Sequence, residues 1–297
     1  MANIGNLLHH EFANINGIKM HYVTIGEGPL IVFLHGFPEF WRSWRHQISF
    51  FSNKYKVVAL DMRGYGETER PLDVREYRIE KIVRDVTELI DSLGQKKATV
   101  VGHDWGGAVA WVTAMINPSA VEKLIVMNAP HPAIVQRNAF RNYTQMQKSW
   151  YMFFFLLEHA PEKVLSRNNF EMLKHMFEIS IKRTDRFSSS SDIEEYVSSW
   201  NKEGGITGGL NYYRANLNKE FWANLDERVP FPKIKIPMLQ IWAEDDIFLG
   251  KELAEETKEF VDAPFSLKFI PNCGHWVQQE APEEVNQMME EFLNDYN

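Results

Sequence analysis

Residues 98–111 read Ala-Thr-Val-Val-Gly-His-Asp-Trp-Gly-Gly-Ala-Val-Ala-Trp, and this stretch decides the fold. A short apolar strand runs into a Gly-x-Asp-x-Gly turn, and an alanine-rich helix follows. Such a strand–turn–helix exposes the central side chain, here Asp104, at the top of a sheet. The small residues on both sides allow the strand and helix backbones to approach closely. Asp104 therefore occupies the position of a nucleophile, although an aspartate in a glycine-rich turn is also typical of a helix N-cap.

Short β-branched, apolar segments recur along the chain, and each ends at a turn signal. Between several of them lie helical patterns, such as residues 79–93, which place apolar side chains on one face ahead of Gly94. Strands that are apolar throughout and alternate with helices predict an α/β fold, a mostly parallel central sheet with helices on both faces. The expected strands are residues 30–34, 56–60, 98–101, 123–127, 238–242 and 266–270.

The alternation of strand-like and helix-like sequence stops between about residue 130 and residue 225. Val- and Ile-rich strands disappear there, and helix-like stretches rich in Phe, Tyr and Trp replace them. A serine run at 188–191 predicts a solvated loop. Because strand-like sequence resumes at 234–242, we expect an α-helical lid inserted between two strands of one sheet. The predicted core therefore comprises residues 1–129 and 226–297, and residues 130–225 form a helical cap.

Composition excludes several classes of function. The 297 residues include 32 basic and 40 acidic side chains, which gives a net charge of −8 and no basic footprint for nucleic acid. The single cysteine, Cys273, cannot form an intramolecular disulfide. The N-terminal residues carry no apolar signal core, and no apolar run approaches the roughly 20 residues that span a bilayer. We expect a cytoplasmic monomer or homodimer without a stable membrane anchor.

The turn that holds Asp104 between the strand and the helix is called the elbow here. An aspartate at this position, in place of serine, changes the reaction that the side chain can carry out. A serine there attacks carbonyl carbons, whereas a carboxylate would give an anhydride and is a poor acyl acceptor. A carboxylate is a competent nucleophile toward a saturated carbon that bears a leaving group. The product is an alkyl ester that water must cleave. Asp104 therefore predicts epoxide opening or carbon–halogen hydrolysis, with no metal or organic cofactor.

Cleaving that ester requires a base, and histidine is the usual choice near neutral pH. His275 follows the last expected strand in a Gly-His pair, and Asp246 follows the strand at 238–242, where it can orient the ring. The order nucleophile, acid, histidine is that of the α/β-hydrolase fold. An alternative acid position, after the strand at 123–127, holds the uncharged Asn128. Four weaker candidates, expected to have structural or solvated roles beside turns, are His35, His103, Glu244 and Asp245.

The loop after the strand at 30–34 supplies a further element of the site. It reads His-Gly-Phe-Pro-Glu-Phe-Trp from His35. A backbone N–H from this loop and one from the residue after the nucleophile can form an oxyanion hole. These amides are assigned to Phe37 and Trp105.

At this point the sequence resembles the epoxide hydrolase branch of the α/β hydrolases, over almost the whole chain. The resemblance rests on His-Gly-Phe-Pro at 35–38, Asp-Met-Arg-Gly-Tyr-Gly at 61–66, Gly-His-Asp-Trp-Gly-Gly at 102–107 and Gly-His at 274–275. It implies a small, apolar epoxide as substrate.

In that family two lid tyrosines donate hydrogen bonds to the epoxide oxygen. The segment Gly-Gly-Leu-Asn-Tyr-Tyr-Arg at 208–214 matches the second tyrosine's motif and implies that Tyr213 is a donor, with Tyr212 its neighbour. The first tyrosine precedes a Phe-rich stretch, which matches Tyr151. The resemblance also implies an apolar substrate pocket that Trp105, Phe37 and Phe155 help to form.

Haloalkane dehalogenases of the same fold are the main alternative, since they also use an Asp-Trp elbow. Fluoroacetate enzymes carry arginines after the nucleophile, where this chain has Trp105 and Ala108. A non-catalytic binding protein of this fold often lacks a triad member, and a serine esterase would need serine at 104. The lid tyrosine motif favours an epoxide hydrolase over a dehalogenase, the presence of all three triad members argues against a binding protein, and Asp104 argues against an esterase.

Overall fold

The computed structural model describes residues 8–138, 141–183, 190–217 and 231–296. In that part of the chain the strands form a single eight-stranded sheet in the order β1-β2-β4-β3-β5-β6-β7-β8. β1 and β2 pair antiparallel, β2 also pairs antiparallel with β4, and the remaining neighbours are parallel. The strands are β1 His9–Ile15, β2 Ile18–Ile25, β3 Leu30–Leu34, β4 Lys56–Leu60, β5 Ala98–His103, β6 Val121–Met127, β7 Met238–Ala243 and β8 Phe265–Ile270.

The six strands expected from the sequence are all present, and β3 and β4 have the expected bounds. The antiparallel hairpin of β1 and β2 is not among the predicted elements. Most of β1 is exposed, and its sequence, His-His-Glu-Phe-Ala-Asn-Ile, lacks the continuous apolar run that marks the buried strands. Pairing with β2 orders this edge strand, and that information is not local to its sequence.

Helices cover both faces of the sheet. Successive residues of β3 alternate between two buried apolar clusters, so that Val32 packs on one face and Phe33 on the other. The first face is covered by helices at Ile79–Ser92 and Trp105–Ile116. The second face is covered by α1 (Arg45–Phe51) and by the C-terminal helix at Pro282–Asp295. The two helices on the first face are called α2 (Ile79–Ser92) and α3 (Trp105–Ile116).

The helix α2 illustrates why the sequence folds this way. Its apolar residues recur at helical spacing, and Ile82, Val86 and Leu89 are fully buried against the sheet. Each such side chain contributes about 1.5–3 kcal/mol on burial. Gly94, at φ +74°, follows the helix end in the left-handed conformation that glycine adopts most easily. The predicted helix at 79–93 is therefore confirmed to within one residue.

The chain between β6 and β7 is helical wherever it forms regular structure in the described ranges. Its helices are α4 Pro132–Asn138, α5 Tyr143–Lys148, α6 Trp150–Phe155, α7 Ala160–Leu165, α8 Arg167–Ser180, α9 Ser190–Trp200 and α10 Gly205–Asn216. The sequence predicts a loop for the serine run, but the last two residues of the run begin α9, and residues 188–189 lie outside the described ranges. The predicted cap boundary at residue 225 also lies outside them.

The remaining helices follow β7 and β8. They are α11 Glu252–Glu255, α12 Val277–Glu280 and α13 Pro282–Asp295. Short 3-10 turns lie at Trp41–Trp44, Val74–Tyr77, Pro118–Ala120 and Glu256–Phe260. Across the described residues, none of the helices combines the length and apolar character needed to cross a bilayer.

Candidate active site

Asp104 lies in the sharp turn between β5 and α3. Its backbone has φ 51° and ψ −121°, a conformation that a residue other than glycine rarely adopts. The turn is tight because a Cβ atom at Gly102 would lie only 2.2 Å from the carbonyl oxygen of Gly106. The side chain of Asp104 makes no capping hydrogen bond to α3. The carboxylate is therefore not engaged as a helix N-cap.

Two groups contact the two carboxylate oxygens of Asp104. The backbone N–H of Phe37 donates to Oδ1 at 2.8 Å. The imidazole Nε2 of His275 lies 3.6 Å from Oδ2, a distance longer than a hydrogen bond and best described as an ion pair. One oxygen is thus held by the loop after β3, and the other faces the histidine.

His275 is oriented by Asp246 from the loop after β7. Its Nδ1–H donates to Oδ2 of Asp246 at 2.7 Å. Asp246 also accepts hydrogen bonds from the backbone N–H groups of Phe248 and Leu249, at 2.7 and 3.0 Å. Asn128, at the alternative acid position, donates to Asp246 through Nδ2 at 2.7 Å. The structure thus brings Asp104, His275 and Asp246 together, with Asn128 as a further partner of Asp246.

The pKa values of these three groups are coupled. Burial alone would lower the pKa of His275, but the charges of Asp246 and Asp104 outweigh it and raise that pKa to about 10. Burial alone would raise the pKa of Asp104 and of Asp246, yet the adjacent His275 holds both below their ordinary values. With Asp104 and Asp246 ionised, His275 is an imidazolium at neutral pH.

The two tyrosines implied by the family resemblance lie together above the elbow. The rings of Tyr151 on α6 and Tyr213 on α10 are 6.4 Å apart, and the ring of Tyr213 is 5.1 Å from that of Trp105. Both tyrosines are buried. Burial, reinforced by the charge of Asp104, raises the pKa of both hydroxyls well above its ordinary value. Both remain protonated, and able to donate, across the physiological pH range.

The neighbouring Tyr212 has a different environment. Its hydroxyl donates to the carbonyl oxygen of Arg63 at 2.9 Å, in a fully buried contact between α10 and the loop after β4. Tyr213, one residue further along α10, lines a cavity at the elbow. The structure therefore separates the two adjacent tyrosines into one that holds the helix in place and one that faces the site.

This cavity has a volume of about 800 Å³ and lies over Asp104, between the sheet and the inserted helices. Asp104, Trp105 and Tyr213 line it near the elbow, and its other walls are largely apolar. Phe155 packs against Phe37 and Tyr213, with ring centres 5.3 and 5.0 Å away, but of the three predicted pocket residues only Trp105 lines this cavity, and Phe37 and Phe155 do not. The remaining apolar lining includes Ala108, Val112, Met115, Met146, Met152, Phe153 and Leu249.

The chain is similar to proteins of a known family. Residues 29–282 match the α/β hydrolase fold family. The chain is 39% identical over 287 residues to human epoxide hydrolase 4, and the match covers 94% of this chain and 77% of that protein. The chain belongs to the epoxide hydrolase family.

Solved structures of epoxide hydrolases are also similar to this family member. A crystal structure of the Bacillus megaterium epoxide hydrolase in complex with an inhibitor superposes with a TM-score of 0.88 at 34% identity, covering 96% of this chain and all of that one. An epoxide hydrolase from Vigna radiata superposes with a TM-score of 0.81 at 30% identity, and 98% of each chain is covered. The expected fold, an α/β hydrolase with a mostly parallel sheet, is confirmed.

This epoxide hydrolase family member has several buried acids outside the predicted site, and one of them, Glu39, contacts His103 at the end of β5. Glu39 is fully buried and accepts hydrogen bonds from Gln278 and Gln279 on α12. Its Oε2 lies 3.0 Å from Nδ1 of His103, whose Nε2 donates to the carbonyl oxygen of His275 at 2.9 Å. His103 thus has the structural role expected of it. No local sequence signal marks Glu39 as buried, because its partners on α12 lie more than about 230 residues away along the chain.

Of the other weaker candidates, His35 has a structural environment. It lies in the loop before Phe37, and its Nε2 accepts a hydrogen bond from the backbone N–H of Met62 at 3.1 Å. Glu244 is paired with Lys251 at 3.2 Å in an exposed contact, and Asp245 is exposed. None of these bonds involves the Asp104 carboxylate, whose ion pair is with His275.

Proposed function

We propose that the protein hydrolyses an apolar epoxide to a vicinal diol through a covalent ester of Asp104. The observation that carries the proposal is that the two oxygens of its carboxylate have different partners. Oδ1 accepts from the Phe37 amide, while Oδ2 faces His275 beneath a largely apolar cavity. The family membership supports the same reaction, and the catalytic residues are then Asp104, His275, Asp246, Tyr151 and Tyr213.

In the first step, Asp104 attacks one ring carbon of the epoxide. A bond forms between a carboxylate oxygen and that carbon, the carbon–oxygen bond of the ring breaks, and its electron pair goes to the epoxide oxygen. Tyr151 and Tyr213 donate hydrogen bonds to this oxygen as it becomes an alkoxide. A proton from the His275 imidazolium neutralises the alkoxide, so the step ends with a neutral alcohol, an alkyl ester and a neutral imidazole.

In the second step, His275 acts as the base. Ester formation removes the negative charge of Asp104, and with it part of the cause of the raised pKa of His275. The neutral ring takes a proton from water, and the resulting hydroxide attacks the ester carbonyl carbon. The amides of Phe37 and Trp105 stabilise the oxyanion. Collapse releases the diol and restores the Asp104 carboxylate and the imidazolium, so the protons balance over the cycle.

We further propose the division of the chain into a core of residues 1–129 and 226–297 and a cap of residues 130–225. Helices α4 to α10, which lie between β6 and β7, support this division. The cap contributes Tyr151 and Tyr213, and the core contributes Asp104, His275 and Asp246. The cavity between them encloses an apolar substrate and keeps water away from the first step.

A single-turnover reaction in water enriched in oxygen-18 tests the covalent route. With enzyme in excess over styrene oxide, the label should enter the Asp104 carboxylate, and the first diol released should contain none. Peptide mass spectrometry locates the label. Label in the first diol alone would mean that water attacks the epoxide directly.

A two-substrate comparison tests the reaction class. Diol formation from styrene oxide is expected, without bromide release from 1-bromobutane. Bromide release without diol formation would instead assign the protein as a haloalkane dehalogenase, which uses the same aspartate. Asp104→Asn is the matched control, and it should abolish whichever activity is present.

A further inference from the structure

Helix α5 contacts the core through two polar side chains, Gln145 and Lys148. They lie three residues apart and therefore on the same side of the helix. Both reach the segment after β7, residues 246–250, which is called the acid loop because Asp246 begins it. This segment forms neither helix nor strand. The Nζ atom of Lys148 donates to the carbonyl oxygen of Asp246 at 2.8 Å, so the loop backbone is held from α5.

The side-chain amide of Gln145 is buried and has a partner for each of its polar atoms. Its Nε2 donates to the carbonyl oxygen of Phe248 at 2.8 Å and to Oγ of Ser149 at 2.9 Å. Its Oε1 accepts from the backbone N–H of Gly250 at 2.9 Å. Because buried backbone groups need hydrogen-bond partners, these bonds fix the path of the acid loop relative to α5.

The acid loop contacts His275 at two points. Oδ2 of Asp246 accepts from Nδ1–H of His275 at 2.7 Å. The ring of Phe248 packs edge-on against the rings of His275 and Tyr151, with centres 5.2 and 5.5 Å away. A displacement of the acid loop would therefore move both a carboxylate and an aromatic ring away from His275.

Several charged or titratable groups face His275. The carboxylates of Asp246 and Asp104 lie 2.7 and 3.6 Å from its two nitrogens, and both raise its pKa. The ring of His103, which is paired with Glu39, lies 4.8 Å from that of His275. In the proposed reaction the Asp104 carboxylate loses its charge when the ester forms, while Asp246 keeps its own. The distance between Asp246 and His275 therefore governs how strong a base His275 is during ester hydrolysis.

We propose that Gln145 is a positioning residue for the hydrolysis of the ester. The role rests on the proposed function and belongs to its second step. Through the acid loop, Gln145 keeps Asp246 at hydrogen-bond distance from His275 after Asp104 has been esterified. When the bonds of Gln145 are lost, the loop relaxes away from α5, the carboxylate recedes from the ring, and His275 becomes a weaker base.

Gln145→Met tests this role, because methionine has a similar length but cannot form the hydrogen bonds. The enzyme is mixed with styrene oxide and quenched at intervals between about pH 5 and pH 10, and intact-protein mass spectrometry follows the decay of the adduct. In the wild type the decay should quicken with pH as His275 loses its proton and then reach a plateau. In Gln145→Met the midpoint should shift down by about one pH unit, and the plateau should fall about tenfold. Formation of the adduct should change by less than about threefold, because the hydrogen bonds of Gln145 go to neither Asp104 nor Tyr213.

The titration of His275 gives a second readout that needs no turnover. Nitrogen-15 NMR of the free protein should find a pKa of about 10 for His275 in the wild type, and His275→Gln identifies its signals by their loss. In Gln145→Met this pKa should be about one unit lower. If the wild type forms neither adduct nor diol, the proposed function fails, whereas the NMR titration still tests whether Gln145 holds Asp246 against His275.

Two substitutions serve as controls. Gln147→Met makes the same change on an exposed side of α5, where Nε2 of Gln147 donates to the Tyr143 hydroxyl at 3.2 Å. Ile82→Val shortens a buried side chain on α2 and lowers the thermal midpoint without touching the acid loop. Neither should shift the pKa of His275 or the decay of the adduct. Should Gln145→Met fail to fold, Gln145→Asn replaces it, since its shorter amide cannot reach the loop and should shift the pKa in the same direction.

Either of two results would overturn the role of Gln145. In the first, Gln145→Met loses thermal stability as Ile82→Val does, while the pKa of His275 and the decay of the adduct stay at their wild-type values. Gln145 would then only stabilise the fold. In the second, formation and decay of the adduct slow equally while the pKa of His275 is unchanged. Gln145 would then act through the cavity, which it also lines.

Discussion

The Nε2 atom of His275 lies 3.6 Å from Oδ2 of Asp104, and this separation links the two halves of the proposed reaction. While Asp104 is ionised, it helps to raise the pKa of His275 to about 10, so the ring cannot act as a base at neutral pH. Once Asp104 is esterified, that charge disappears and the ring can accept a proton from water. In the proposed reaction, the charge state of Asp104 thus controls when His275 becomes available as a base.

Replacing His275 should stop the reaction at the ester. His275→Gln retains a polar side chain beside Asp246 but can neither protonate the alkoxide nor take a proton from water. Ring opening continues at a reduced rate, because Tyr151 and Tyr213 still donate to the epoxide oxygen and solvent supplies its proton, while ester hydrolysis slows by at least about 100-fold. Intact-protein mass spectrometry after mixing with styrene oxide should find one adduct with the mass of the epoxide.

Two controls accompany this measurement. Wild-type protein quenched at the same time should carry little adduct, and Asp104→Asn should carry none. Rapid diol formation by His275→Gln without any adduct would contradict the role of His275 as the base.

The raised pKa of His275 also predicts a pH-dependent stability. The group's pKa is about 10 in the folded protein and 6.5 ordinarily, so its stabilising effect is complete below pH 6.5 and is lost as pH rises toward 10. The free energy of unfolding, measured by urea denaturation, should therefore fall by on the order of a few kcal/mol between about pH 7 and pH 9.5. Asp104→Asn removes one of the two negative charges and should make this fall smaller. An unchanged slope in Asp104→Asn would mean that Asp104 does not set the pKa of His275.

Tyr212 and Tyr213 offer a matched pair of substitutions on one helix. Tyr213→Phe removes a donor that faces the cavity, and should slow ring opening by about 100-fold, as measured by the burst of ester formation. Tyr212→Phe removes the hydrogen bond to the Arg63 carbonyl, which should cost about 1 kcal/mol of stability and leave ring opening within a few fold of the wild type. The reverse pattern would exchange the two assignments.

A structural feature of this molecule can be predicted from the sequence when residues close together along the chain determine it. The bounds of β3 and β4 match their prediction, because continuous β-branched runs ended by turn residues need no tertiary information. The elbow at Asp104 is equally local. The hairpin of β1 and β2 escapes prediction because β1 is an exposed edge strand.

The surroundings of the site are harder to predict. The burial of Glu39 depends on α12, and sequence reasoning treats a charged residue in a loop as exposed. Likewise, adjacent tyrosines on α10 have the same local sequence environment. The motif at 208–214 implies that Tyr213 is the donor, but the hydrogen bond from Tyr212 to the Arg63 carbonyl depends on how that helix packs on the loop after β4.

The position of the Asp104 side chain requires glycine at residue 36. A Cβ atom at this position would lie 2.4 Å from the Cβ of Asp104 and 2.5 Å from its Oδ1, so Gly36→Ala must displace the carboxylate from the Phe37 amide. A displacement of about 1 Å costs on the order of 100-fold in rate. We expect kcat for styrene oxide to fall by that factor, with the folded structure retained in circular dichroism.

Gly94→Ala is the control for this substitution. Gly94 also has a positive φ, +74°, but nothing lies within 4 Å of a Cβ atom built there. The change should cost about 1 kcal/mol of stability through backbone strain alone and leave kcat unaltered. Gly36→Ala should lower kcat by displacing the carboxylate, whereas Gly94→Ala should lower only the thermal midpoint through backbone strain. Measuring kcat and the thermal midpoint of both variants therefore separates the two effects. Full activity in Gly36→Ala would show that the Asp104 carboxylate works from a different position than the one it occupies against Phe37.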